Sequence, residues 1–101
     1  MKLIKGFEEL LSRYQSLPDS GWIFIDNEFD VSSKEDILNK SYYFSEDDDE
    51  EIEMEESYTT FLEAPTFKDI VINKYNNKIN ASRDELISAV IYYLDNDDFL
   101  D

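Results

Sequence analysis

A chain of 101 residues, 42% hydrophobic and 15% aromatic, has enough apolar material for one packed domain and too little length for two independent cores. Its 25 Asp and Glu stand against nine Lys and Arg, a formal charge of −16 that argues against direct binding to nucleic acid or an anionic membrane and points to a basic partner. His and Cys are both absent, which excludes zinc sites built on them, Ser-His and Cys-His nucleophiles, and disulfides.

The opening residues carry lysines but meet Glu8 and Glu9 before an apolar stretch can form, so no signal peptide is read. No run approaches the roughly 18 apolar residues of a membrane span, and the expected location is the cytoplasm. Leu3, Phe7, Leu10, Leu11, Tyr14 and Leu17 recur at three- and four-residue spacing, which predicts an amphipathic helix over residues 2–16, ended by Pro18-Asp19-Ser20-Gly21. Trp22 to Asp26 is short, aromatic and β-branched between turn residues, the pattern of a buried strand with Trp22 in the core. Between Asn27 and Lys40, either Ser32 or Ser33 caps a short helical turn through Ile37 and Leu38, or the segment is a loop. A second strand is expected over residues 41–45.

Residues 46–56 hold nine acids and no base. Five basic and eight acidic residues give −3 over residues 1–45, ten acids give −10 over 46–64, and four basic and seven acidic residues give −3 over 65–101. The charge is therefore concentrated in one segment of a single domain spanning 1–101. Tyr58 to Leu62 restores strand composition, and Ala64-Pro65 closes it, so a hairpin with an acidic tip is one arrangement; Ile52 and Met54 alternate as at a strand edge.

Thr66 is placed to cap a helix bearing Phe67, Ile70, Val71, Tyr75 and Ile79, with Asn80 as a left-handed terminator. Ser82-Arg83-Asp84-Glu85 matches a capping box and opens a helix carrying Leu86, Ile87, Ala89, Val90, Tyr93 and Leu94, after which Phe99 and Leu100 fold back as an apolar anchor. The resulting expectation is an α+β fold with an N-terminal helix, a small antiparallel sheet of two to three strands and a C-terminal helical pair.

No carboxylate sits in an apolar context that singles it out as a general acid or base, and the chain has two glycines and no phosphate loop. No enzyme activity and no cofactor are expected. Asp95-Asn96-Asp97-Asp98 superficially resembles a calcium loop but lacks the glycine and the terminal glutamate of one, so no metal site is assigned. The acidic run reads either as a solvated tip or, with Asp95, Asp97, Asp98 and Asp101, as a negative face complementary to a basic protein. Tyrosines beside carboxylates suit the second reading, because an exposed Tyr makes a good anchor, and so do Ile52 and Met54 within the run, since a purely solvating tip needs no regularly spaced apolar side chains.

The order of Leu17-Pro18 before Trp22-Ile23-Phe24, an acidic middle, Asp69-Ile70-Val71 and the closing Ala89-Val90-Ile91-Tyr92-Tyr93-Leu94-Asp95-Asn96-Asp97-Asp98-Phe99 resembles small immunity proteins of bacterial contact-dependent growth inhibition and related toxin systems. The resemblance implies a cytoplasmic protein that binds the C-terminal domain of a cognate toxin, often a nuclease, and covers its basic active-site or substrate-binding surface. Carboxylates would then occupy the places of phosphates. The expected partner-binding residues are Tyr42, Tyr43 and Tyr58 as aromatic anchors, with Glu46, Asp47, Asp48, Asp49, Glu50, Glu51, Glu53, Glu55 and Glu56 as the acidic face. An alternative of neighbouring class is a DNA mimic that inhibits nucleic-acid-binding proteins, with carboxylates following a duplex backbone at about 7 Å.

Overall fold

Of Lys2, Leu3, Ile4 and Lys5 only Ile4 is buried, and in the computed structural model, which describes residues 1–99, they form strand β1 (Lys2–Lys5) rather than the start of a helix. The helical spacing of Leu3, Phe7 and Leu10 runs across Gly6, and Gly6 breaks it. This glycine has a φ of +85°, and a Cβ there would lie 3.1 Å from the Leu38 carbonyl oxygen, so only glycine fits the corner without strain. Helix α1 (Phe7–Ser12) follows, then a 3-10 turn at Tyr14–Ser16. The remaining elements are β2 (Trp22–Ile25), α2 (Lys34–Asn39), β3 (Ser41–Phe44), α3 (Asp48–Ser57), β4 (Thr59–Glu63), α4 (Ala64–Asn77) and α5 (Arg83–Asn96).

All strand pairs are antiparallel and the sheet order is β1-β3-β2-β4. The expected two- to three-stranded sheet with an N-terminal helix and a C-terminal helical pair is thereby corrected. Among the described residues the fold is α+β with a four-stranded antiparallel sheet and five α-helices, and a strand comes first. The two C-terminal helices belong to a shared layer: α5 packs on α2 as well as α4, and α4 packs on β4 and the 3-10 turn.

Ile23, Phe24 and Ile25 are consecutively buried on the central strand β2, which requires cover on both faces of the sheet. On one face Ile23 and Ile25 join Ile4, Tyr42, Phe44 and Phe61 with Phe7, Leu10, Ile37, Phe67, Ile70, Leu86 and Val90 in the main core. Phe7 and Phe67 meet edge to face at 6.0 Å, and Phe29, Tyr42 and Phe61 form a triad with ring centroids 5.4–5.9 Å apart. A bulge in the β2–β4 pairing opposes Ile23 to Leu62 and Phe24 to Thr60, so Phe61 and Leu62 are buried in succession. Phe24 points the other way and stands apart from that core, as does the buried Met54 of α3. Helix α3 packs against β2 and supplies the second cover.

The local caps explain several boundaries. Ser33, not Ser32, caps α2 by accepting the Asp36 N–H, and the Ser82–Glu85 capping box forms in full at α5. Helix α4 begins at Ala64 with Pro65 in its first turn and Glu63 at the N-cap, three residues before the expected Thr66 cap, because proline's fixed φ suits a helix start. It ends at Asn77, with Lys78 as its extended C-cap, so Asn80 does not terminate it. Asp97 is the left-handed C-cap of α5, at φ 55°. Phe99 lies 5.4 Å from the Tyr93 ring, while Leu100 and Asp101 lie outside the described residues.

Candidate functional site

Asp47 opens the acidic segment by accepting the Glu50 N–H at 2.7 Å, a helix N-cap. Asp48, Asp49, Glu50 and Glu51 fill the first turn, where the exposed N–H groups and the positive end of the helix dipole favour carboxylates. The expected hairpin tip is therefore corrected to a capped helix. The alternation of Ile52 and Met54 marks opposite faces of that helix: Met54 is 4% exposed and Ile52 60%.

The carboxylates divide in the same way. Glu50 points inward, accepting the Glu46 N–H at 2.9 Å and pairing with the Met1 amine at 2.8 Å. The amine, followed by that N–H, holds its carboxyl below the usual glutamate range. Glu51 is half-buried and its Oε1 accepts the Trp22 N–H at 3.1 Å; a Cβ at Gly21, itself at φ +98°, would lie 3.3 Å from the same oxygen. These two acids fasten α3 to the sheet.

Asp48, Asp49, Glu53, Glu55 and Glu56 are exposed. Among the described residues, no Lys or Arg lies within ion-pair distance of any of the five, whereas Lys34, Lys40, Lys78, Arg13 and Arg83 are all paired elsewhere. Asp48 and Asp49 lie one turn before Ile52, and Glu55 and Glu56 one turn after it. The outer face of α3 is an unneutralised acidic surface with one isoleucine at its centre. Glu46 and Asp47 are exposed at its N-terminal end, with Glu46 3.4 Å from the Met1 amine.

The three tyrosines separate. Tyr42 is fully buried, its hydroxyl donating to the Ile37 carbonyl, and burial pushes that hydroxyl well above the usual tyrosine range. It is a core residue and is corrected out of the partner-facing set, because Tyr42 shares its sheet face with Ile4 and Ile23. Tyr43 shares the second face with Phe24, stacks on Tyr58 at 4.9 Å and donates to Asp26 Oδ2 at 3.3 Å; burial first, and Asp26 second, raise its hydroxyl. Tyr43 and Tyr58 are half-buried beside the C-terminal end of α3.

Trp22, expected in the core, is half-buried and lines an open cleft of about 230 Å³ with Phe61, Glu63, Tyr93, Leu94 and Asp97. Sequence reasoning missed this cleft and the separation of Ile52 from Met54 onto opposite sides of a helix. The signal for the second was present: Asp47 followed three residues later by Glu50 is a helix-start spacing, on which Ile52 and Met54 fall on opposite sides. Among the described residues, no three carboxylates converge as a metal-holding group, and no helix is long and apolar enough to cross a membrane.

Residues 5–101 match a family model described as a domain of unknown function, DUF7716. The chain belongs to the DUF7716 family. Neither the curated proteins nor the solved structures compared with it give a match. The family assignment covers β1's last residue and every later element, so α3, the Trp22 cleft and the C-terminal helices all lie within the matched domain.

Proposed function

We propose that the chain is an immunity-type inhibitor: a cytoplasmic, non-catalytic protein that binds a basic toxin domain through the outer face of α3. The observation that carries this reading is the division of α3, in which Met54, Glu50 and Glu51 are spent on holding the helix while five outward carboxylates surround Ile52 without a cation. At a basic interface such a face supplies both terms, since charge steers the encounter and Ile52 offers an apolar contact that excludes water.

A nuclease is the best-fitting target class, because its substrate surface must be basic to hold phosphates. The alternative, a duplex mimic, has less support. Helix α3 has ten residues, about 15 Å at a rise of 1.5 Å per residue, which spans only about two phosphate intervals of 7 Å.

Co-expression with a toxin domain encoded by an immediately upstream reading frame tests the reading, and absence of any such frame would count against it. Growth rescue together with co-purification of a stable complex is the expected result. Loss of both, or capture of many unrelated DNA-binding proteins, would overturn it in favour of the mimic.

A further inference from the structure

The cleft beside Trp22 has a composition suited to one kind of guest. The half-buried Trp22, Tyr93 and Leu94 line it together with the buried Phe61, and its only charged lining residues are Glu63 and Asp97. Among the described residues, neither carboxylate pairs with a Lys or Arg. Aromatic faces attract a cation through their negative π surface, and carboxylates beside them add charge and hydrogen-bond acceptors. The volume of about 230 Å³ lies below that of pockets for drug-sized ligands and suits a single long side chain.

The cleft also adjoins the acidic helix. Trp22 borders a second cleft that contains Asp47, Asp48 and Glu51, and the Trp22 N–H is the group that Glu51 holds. The two clefts therefore share Trp22.

We propose that this cleft takes the guanidinium of an arginine side chain, stacked on the aromatic walls and hydrogen-bonded to Glu63 and Asp97. Arginine fits better than lysine because its planar, weakly hydrated head stacks on rings and offers paired N–H donors to a carboxylate, whereas an ammonium is a compact and strongly hydrated point charge. The inference rests on the partner reading above for the source of the arginine, which would be the toxin domain.

The chain's one tryptophan is Trp22, so selective tryptophan fluorescence reports on the two clefts that it borders, and the response that depends on Glu63 and Asp97 belongs to this one. Titration of the intact protein with N-acetyl-arginine amide at constant ionic strength uses no toxin, and therefore tests the cleft separately from the partner reading. A saturable change with a Kd of about 1–10 mM is expected for one small cation held by contacts of this kind. N-acetyl-lysine amide, of equal charge, should bind at least about threefold more weakly. The double variant Glu63→Gln, Asp97→Asn should bind arginine amide about tenfold more weakly, and it should fold, because asparagine tolerates the left-handed conformation at position 97. No saturable change, equal binding of the two amides, or an unaltered Kd in the double variant would each overturn the proposal.

Discussion

The two faces of the sheet are closed by different means, and the difference separates what folds the chain from what it offers to solvent. The main face is covered by α1, α2, α4 and α5 around a continuous apolar cluster, with aromatic contacts at its centre. The second face is covered by α3, which contributes one buried methionine and two inward carboxylates and turns the rest of its acids outward. A helix so rich in acids is a poor core element and a good applied layer. Its outward charge costs little in the fold because water still solvates it.

The sharpest way to break this contrast is to cut each face in turn. Phe67→Ala removes a fully buried ring from the main face and should cost about 3–5 kcal/mol, enough to threaten folding, measured by denaturant unfolding. Met54→Ala should cost about 2 kcal/mol, the low end for such a truncation, because a single covering helix can settle into the space. Its signature is regional: amide exchange should quicken across α3 while the amides of α4 and α5 stay protected. Equal acceleration everywhere would show that α3 is integral to the main core.

A finer test concerns the cap. Asp47→Ala should destabilise by about 1 kcal/mol despite removing a negative charge, because it deletes the acceptor for the Glu50 N–H. Asp47→Asn keeps an acceptor while relieving repulsion, so it should be neutral or slightly stabilising at low salt. Thermal unfolding of the two variants side by side separates the cap from the charge.

The smallest effect near neutrality comes from Tyr42. Its folded hydroxyl is raised by burial, so the unfolded chain loses this proton first, from about pH 10 upward. The contribution is fully present below that value and is lost as pH rises toward the folded one. Alkaline unfolding should therefore steepen above about pH 10, and Tyr42→Phe should flatten that limb in a pH series of melting temperatures.

Strong local chemistry was legible in the sequence. The Ser82–Glu85 box and the aromatic strand at Trp22–Ile25 formed where their residues pointed. Gly6 was the deciding residue at the N-terminus, since a helical spacing read across it conceals a four-residue strand that pairs only with the distant β3. The acidic segment misled for a related reason: two apolar residues at a spacing of two fit a strand edge and opposite sides of a helix equally, and the Asp47 cap decides between them. Which tyrosine of the 42–43 pair faces the core depends on sheet register, which Ile4 and Phe24 set from elsewhere in the chain. The Trp22 cleft joins residues from β2, β4 and α5, and no local pattern announces it.

The claim that α3 holds its outward acids for a basic partner is tested most directly by the salt dependence of toxin-domain binding. Wild type is compared with the variant Asp48→Asn, Asp49→Asn, Glu53→Gln, Glu55→Gln, Glu56→Gln, which leaves Asp47, Glu50, Glu51 and Met54 in place. Wild-type affinity should fall steeply as salt rises, while the variant should bind about 100-fold more weakly at low salt and respond little to it. Equal affinity and an equal salt response in the two proteins would contradict the account.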